Sequence, residues 1–379
     1  MPMLLNELAA ILDKVFNRDI ALPGDPVGLQ IGRPENNISK VLVTLDINSS
    51  VINEALSGSA DLIIAHHPLI FNPIKNILSS DIKGSMLFKL IENNIAAYIA
   101  HTNFDAMHGG LNDSIARIIG LKDIKLLEKA GQKWYKFSVF VPPEAEDGVR
   151  NTIFENGGGN YANYSSCSFN TKGMGTFMPL KNANPYSGKM GAVNFVDEIK
   201  IECIVEEKNL DKLTMSVIKA HPYEEPAYDI FKLENMPDTF GLACNGSVEP
   251  AQMLPGFIEG IKKNLELECI RLACPQDIDI DNFPVKRAAF INGSANSFTD
   301  RLSVGELDCD VIIVGELKYS RVTEIVECGK VLIELGHGES EKFAIRLMHD
   351  ILSNSLKDYK DLEIFKSKTG YTRWRYCID

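Results

Sequence analysis

Six short, almost wholly apolar runs set the strongest limit on what this chain can fold into. They are Val41–Leu45, Leu62–Ala65, Ala96–Ala100, Ala288–Ile291, Val311–Val314 and Val331–Leu335. A strand with one wet face alternates apolar and polar residues, whereas a strand buried on both faces reads as a continuous apolar run. Helical stretches separate these runs, so the pattern predicts an α/β chain of largely parallel sheets flanked by helices. The last run leads into a helix with Phe343, Ala344, Leu347, Met348, Ile351 and Leu352 on one face. At the other end, Leu4, Leu5, Leu8, Ile11, Leu12, Val15 and Phe16 recur at helical spacing and predict an amphipathic helix rather than a signal peptide.

The texture changes between about 131 and 233. Alternation at Phe137–Val141 suits a half-buried antiparallel strand, Gly157–Gly159 a turn, and Lys212–Lys219 a short amphipathic helix. A separate inserted α+β domain follows. The 379 residues exceed the roughly 250–300 at which a single core stops growing, which also favours division. The expected partition is 1–130 as a first core lobe, 131–235 as the insert and 236–379 as a second core lobe.

The net charge of −12 excludes a general electrostatic attraction to nucleic acid or an anionic membrane. No apolar run approaches the roughly 20 residues of a membrane helix. Eight cysteines are scattered without a C-x-x-C pair. That usage suits a reducing cytoplasm and argues against cysteine-ligated zinc.

Three of the apolar runs end in polar clusters: His66-His67, His101 with Asp105, and His337 with Glu341. In open α/β sheets the ligand crevice lies at the carboxyl ends of strands, so the three segments point into one volume. Imidazole with carboxylate is the donor set of a mixed nitrogen and oxygen site for zinc, iron, manganese or nickel. The rival reading makes each histidine an ordinary hydrogen-bonded residue. Four of the seven histidines fall in these clusters. His66 and His67, if still on an extended strand, point to opposite sides and suit two ions better than one. A helix beginning near Gly338 would carry Glu341 in its first turn, with His337 at its threshold, and its N–H groups would favour an anion such as phosphate. Asp46 and Glu316, also at strand ends, are lesser members of the same rim. His108 and His349 read as surface residues, Gly24–Gly32 as a loop entering the first strand, and Asn292–Asn296 as a weak anion cradle. His221–Pro226, with two prolines and adjacent acids, reads as a rigid loop.

H-H-P-L-I-F at His66–Phe71, H-T-N-F-D at His101–Asp105 and G-H-G-E-S-E at Gly336–Glu341 resemble the signatures of the NIF-three-like dinuclear metal centre family. G-L-Q-I-G at Gly28–Gly32 and V-G-E-L-K-Y at Val314–Tyr319 are similar to its remaining blocks. His221–Asp229 resembles the ferredoxin-like, PII- and CutA-related domain inserted in its longer bacterial members. The sequence departs from the family where Gly24-Asp25-Pro26-Val27 stands for W-D-N and Ser320 for a histidine.

The resemblance implies a two-lobed α/β core, a toroidal homohexamer, and two divalent metal ions per chain held by His66, His67, Asp105, His337 and Glu341. His101 is implied near the metals, where it could relay a proton. The implied function is that of a metal-dependent hydrolase acting on a nucleotide or related phosphate-bearing small molecule, in line with the label GTP cyclohydrolase type two that members often carry. A phosphoesterase is the nearest enzyme alternative, and a non-catalytic metal-binding scaffold or storage protein the alternative of another class.

Overall fold

The structure is a computed structural model that describes residues 3–129, 133–161, 164–234, 241–296, 307–371 and 374. The chain forms two compact units, one of Met1–Gly131 with Asp238–Asp379 and one of Gln132–Pro237.

The larger unit is built on two main sheets. In the first, Glu363–Lys366, Lys40–Thr44, Leu62–Ala65 and Ala96–Ile99 run parallel, and Gly28–Ile31 closes one edge antiparallel. In the second, Pro284–Ser294, Val311–Glu316 and Val331–Glu334 form a parallel centre. Gly241–Met253 and Lys122–Lys129 extend it antiparallel on one side, and Arg271–Ala273 on the other. The fold is therefore mixed α/β, parallel where the apolar runs lie. The edge strand Glu363–Lys366 joins the first sheet although it follows the second in sequence, and Lys122–Lys129 joins the second although it follows the first.

Alternation explains why the central runs are apolar throughout. Val41, Val43, Leu62, Ile64 and Tyr98 face one core together with Phe290, Ile313 and Ile333 of the second sheet. Their neighbours Leu42, Ile63, Ala97 and Ile99 face a separate core with Val51, Ala55, Leu87 and Leu90 of the helices Ser49–Gly58 and Ile82–Glu92. Residues of both parities are withdrawn from water. Asn48 and Asp81 cap those helices by accepting the N–H of Val51 and Gly84. The amphipathic first helix spans Leu5–Val15 and buries Leu5, Leu8 and Leu12.

The smaller unit is one antiparallel sheet in the order Tyr228–Lys232, Trp134–Val141, Asn194–Glu206, Phe169–Phe177, with helices Glu146–Glu155 and Glu207–Ala220. Its element order is β-α-β-β-α-β. Phe137, Val139 and Val141 pack with Ile199, Ile201, Val205, Ile153 and Leu213 into a core of its own.

Candidate metal centre

Five parallel or near-parallel strand ends of the larger unit converge on one point. Leu62–Ala65 delivers His66 and His67, Ala96–Ile99 delivers His101, and Val331–Glu334 delivers His337. Lys40–Thr44 is followed by Asp46, and Val311–Glu316 ends on Glu316. A short helix, Thr102–Ala106, carries Asp105, and another, His337–Glu341, sets His337 and Glu341 on one side at a spacing of four.

The histidines are oriented alike. The Nδ1 of His66 lies 2.8 Å from the carbonyl of Ala100, that of His67 2.7 Å from Asp46, that of His101 2.9 Å from Asp25, and that of His337 3.1 Å from Glu316. An Nδ1–H donated outward fixes the ring and turns its Nε2 inward, where loss of the Nε2 proton would free a lone pair for a cation. The Nε2 of His66 stands 3.6 Å from Asp105 and 3.9 Å from Oε1 of Glu341. Those of His67 and His337 stand 2.8 and 3.1 Å from Oε2 of Glu341. Despite this proximity, His66 Nε2, His67 Nε2, Asp105 Oδ1 and Glu341 Oε2 are buried without hydrogen-bond geometry to any partner among the described residues. Buried polar atoms left unpaired cost free energy, so a cluster of four sharing one point marks a site built to meet something there.

Electrostatics agree. Burial alone would push Glu341 up, but His337, His66 and His67 hold its carboxyl well below the usual range. Burial, with Glu341 nearby, keeps Asp105 raised. For the rings burial disfavours charge, yet Asp46 and Glu341 push His67 up to about 10, and Glu341 and Glu316 push His337 up to about 9. The cluster therefore attracts positive charge strongly. Three overlapping donor groups meet the spacing a cation needs, each with ligand atoms within 4.8 Å of one another: His66, Asp105 and Glu341; His67, His337 and Glu341; and His66, His67 and His101. Glu341 belongs to two of them through different oxygens.

The six residues singled out in the sequence thus lie together. His66 and His67 do not point to opposite sides. The strand ends at Ala65, so the alternation of an extended chain no longer governs them, and both rings turn toward Glu341. Asp46 and Glu316 hold ring nitrogens on the outer side. Gly24–Gly32 is more than a loop, because Gly28–Ile31 is an edge strand, and Asp25, which precedes that strand, holds both His101 and the Thr102 N–H. No local signal identifies Asp25, whose partner lies 76 residues away. In the segment Asn292–Asn296, Asn292–Ser294 are the last residues of the strand Pro284–Ser294, and Glu341 lies against them. Gly293 has φ +57, and a Cβ there would fall 2.2 Å from Oε1 of Glu341, so the protein's own carboxylate occupies that place.

This fold and donor set define an α/β protein with a buried site suited to divalent cations. The chain belongs to the Duf34/NIF3 (NGG1p interacting factor 3) family, whose sequence pattern matches residues 3–371. It is 37% identical over 353 residues to the GTP cyclohydrolase 1 type 2 homolog of Halalkalibacterium halodurans, covering 92% of each chain. The Bacillus subtilis protein of the same name is 32% identical over 365 residues, with 96% of each covered. Among solved structures, a Bacillus cereus protein related to NIF3 is 30% identical with a TM-score of 0.71 over the full length of both chains. A Staphylococcus aureus protein is 25% identical with a TM-score of 0.78 over 99% of each. Among the described residues, no helix is long and apolar enough to cross a membrane.

Proposed function

We propose that the chain is a dinuclear-metal hydrolase acting on a nucleotide or a related phosphate-bearing small molecule. The observation that carries this reading is the set of unpaired, inward-facing nitrogens and carboxylate oxygens around Glu341. His66 and Asp105 would hold one ion, His67 and His337 the other, and Glu341 would be shared, since its two oxygens face the two groups. Two divalent cations supply Lewis acidity toward a phosphoryl or carbonyl oxygen and lower the pKa of water toward neutrality. Zinc, iron, manganese and nickel all suit this donor set. His101 is the residue we place as proton relay, because Asp25 fixes its ring and it belongs to the donor group of His66 and His67.

The charge of −12 makes the cations themselves the feature that draws an anionic substrate. The name borne by the relatives, GTP cyclohydrolase 1 type 2 homolog, makes GTP the first compound to try. The test is a screen of nucleoside phosphates for phosphate or formate release, with and without chelator, on the parent chain and Glu341→Gln. Chelator-sensitive turnover lost in the variant supports the hydrolase. Bound metal with no turnover of any nucleotide would leave a metal-binding scaffold or storage protein.

The assembly we read as a homohexamer in the cytoplasm, with the smaller unit a ferredoxin-like, PII/CutA-like insert, a reading its β-α-β-β-α-β order supports. Exposed Ile77, Leu78, Ile82 and Ile91 offer the apolar surface an assembly would cover. Light scattering giving a monomer would refute the hexamer.

A further inference from the structure

A second built site lies wholly within Gln132–Pro237 and is independent of the metal centre. Alternate residues of the four-stranded sheet, Phe137, Val139, Ile199 and Ile201, are buried with its helices, and the residues between them point the other way. There, Phe140, Val196, Glu198 and Lys200 help to line a cavity of about 720 Å³. Its remaining walls come from the loop around Tyr186 and the turn at Tyr223 and Glu224.

The walls are held in place. His221, only 7% exposed, has Nε2 2.9 Å from the Phe140 carbonyl, and its Nδ1 accepts the Tyr223 N–H at 3.0 Å. That pair of bonds needs the neutral ring with its proton on Nε2, and burial keeps the pKa of His221 below its ordinary value. Glu224 accepts the Asn184 N–H at 2.9 Å, and the Tyr186 hydroxyl donates to Glu144 at 3.2 Å. The rings of Tyr186 and Tyr223 stand 5.6 Å apart. The H-P-Y-E-E-P segment thus builds one side of a cavity. Two glycines on the edge strand Phe169–Phe177 open its floor. A Cβ at Gly175 would fall 2.2 Å from Oε2 of Glu198, whereas at Gly173 it would meet nothing within 4 Å.

The charge of the lining selects a ligand. The carboxylates Glu198, Glu202, Glu224 and Glu225 outnumber Lys172 and Lys200, and the Lys200 ammonium is engaged by Glu202 at 3.1 Å. Burial and the Glu198 carboxylate push the Tyr223 phenol up to about 12, so that ring stays neutral. Carboxylates beside the negative faces of aromatic rings attract cations, and a phosphate or carboxylate ligand would meet excess like charge.

We infer that this cavity binds an organic cation, a protonated or quaternary amine on an apolar or aromatic body, with its charge near Glu198 and its body against Tyr186 and Tyr223.

The experiment is calorimetric titration of the full chain with benzyltrimethylammonium, benzyl alcohol and benzoate. The cation is expected to bind saturably, the neutral alcohol about tenfold or more weaker, and benzoate not at all. Glu198→Gln should weaken the cation about tenfold. Gly173→Leu, which grows into open space, should block it, with the metal content and circular dichroism of both variants unchanged. No saturable heat from the cation, equal binding of benzoate, or cation binding unaltered in both variants would overturn the inference.

Discussion

Glu341 is the residue on which the site turns, and its position depends on a neighbour with no side chain. Gly293 combines a left-handed backbone with contact against Oε1 of Glu341. Gly293→Ala is therefore expected to displace the carboxylate, weaken cation binding by about tenfold or more, and destabilise the fold by about 1–3 kcal/mol. Metal titration and thermal melting check both. The ring nitrogens set the pH dependence. In the cation-free protein, His67 and His337 titrate near 10 and 9, above the unfolded value of roughly 6.5. Their protonation thus stabilises the fold fully below that value and the contribution is lost as pH rises through about 9 and 10. Cation binding must expel these protons, so affinity is expected to climb between about pH 7 and 9, with about two protons released per chain. Calorimetry in buffers of different ionisation enthalpy counts them, and release of none would contradict this assignment. The residues that meet around Glu341 are legible in sequence because their segments follow apolar runs. Asp25 and the roles of Asp46 and Glu316 are not, because a carboxylate that orients a histidine is chosen by contacts between distant segments.

At the scale of elements, close approach of the helix His337–Glu341 to the second sheet sets the site. Gly315 permits it, since a Cβ there would fall 2.4 Å from the Gly293 carbonyl and 2.8 Å from Oγ of Ser340. Gly315→Ala is expected to push that helix outward and cost cation affinity by about tenfold or more while leaving the secondary structure intact. Equal affinity with an unchanged circular dichroism spectrum would show that the helix tolerates the shift. The parallel strands are evident in sequence because burial on both faces demands unbroken apolar runs. Lys122–Lys129 and Glu363–Lys366 are not, since each is an edge strand rich in charge. Sheet pairing made by distant segments, rather than periodicity, places them.

For the whole molecule, the metal site and the cation cavity lie in different units, each with its own core. Two calorimetric unfolding transitions are expected. Chelation should lower that of the larger unit by about 5 °C or more and leave the other in place. A single transition that shifts as one would mean the units unfold together. The central claim is tested most directly by elemental analysis of the protein purified without added metal, beside His67→Ala and Glu341→Ala. About two divalent ions per chain are expected in the parent, falling to one or none in the variants. A metal-free parent chain, or variants that keep the full complement, would contradict it.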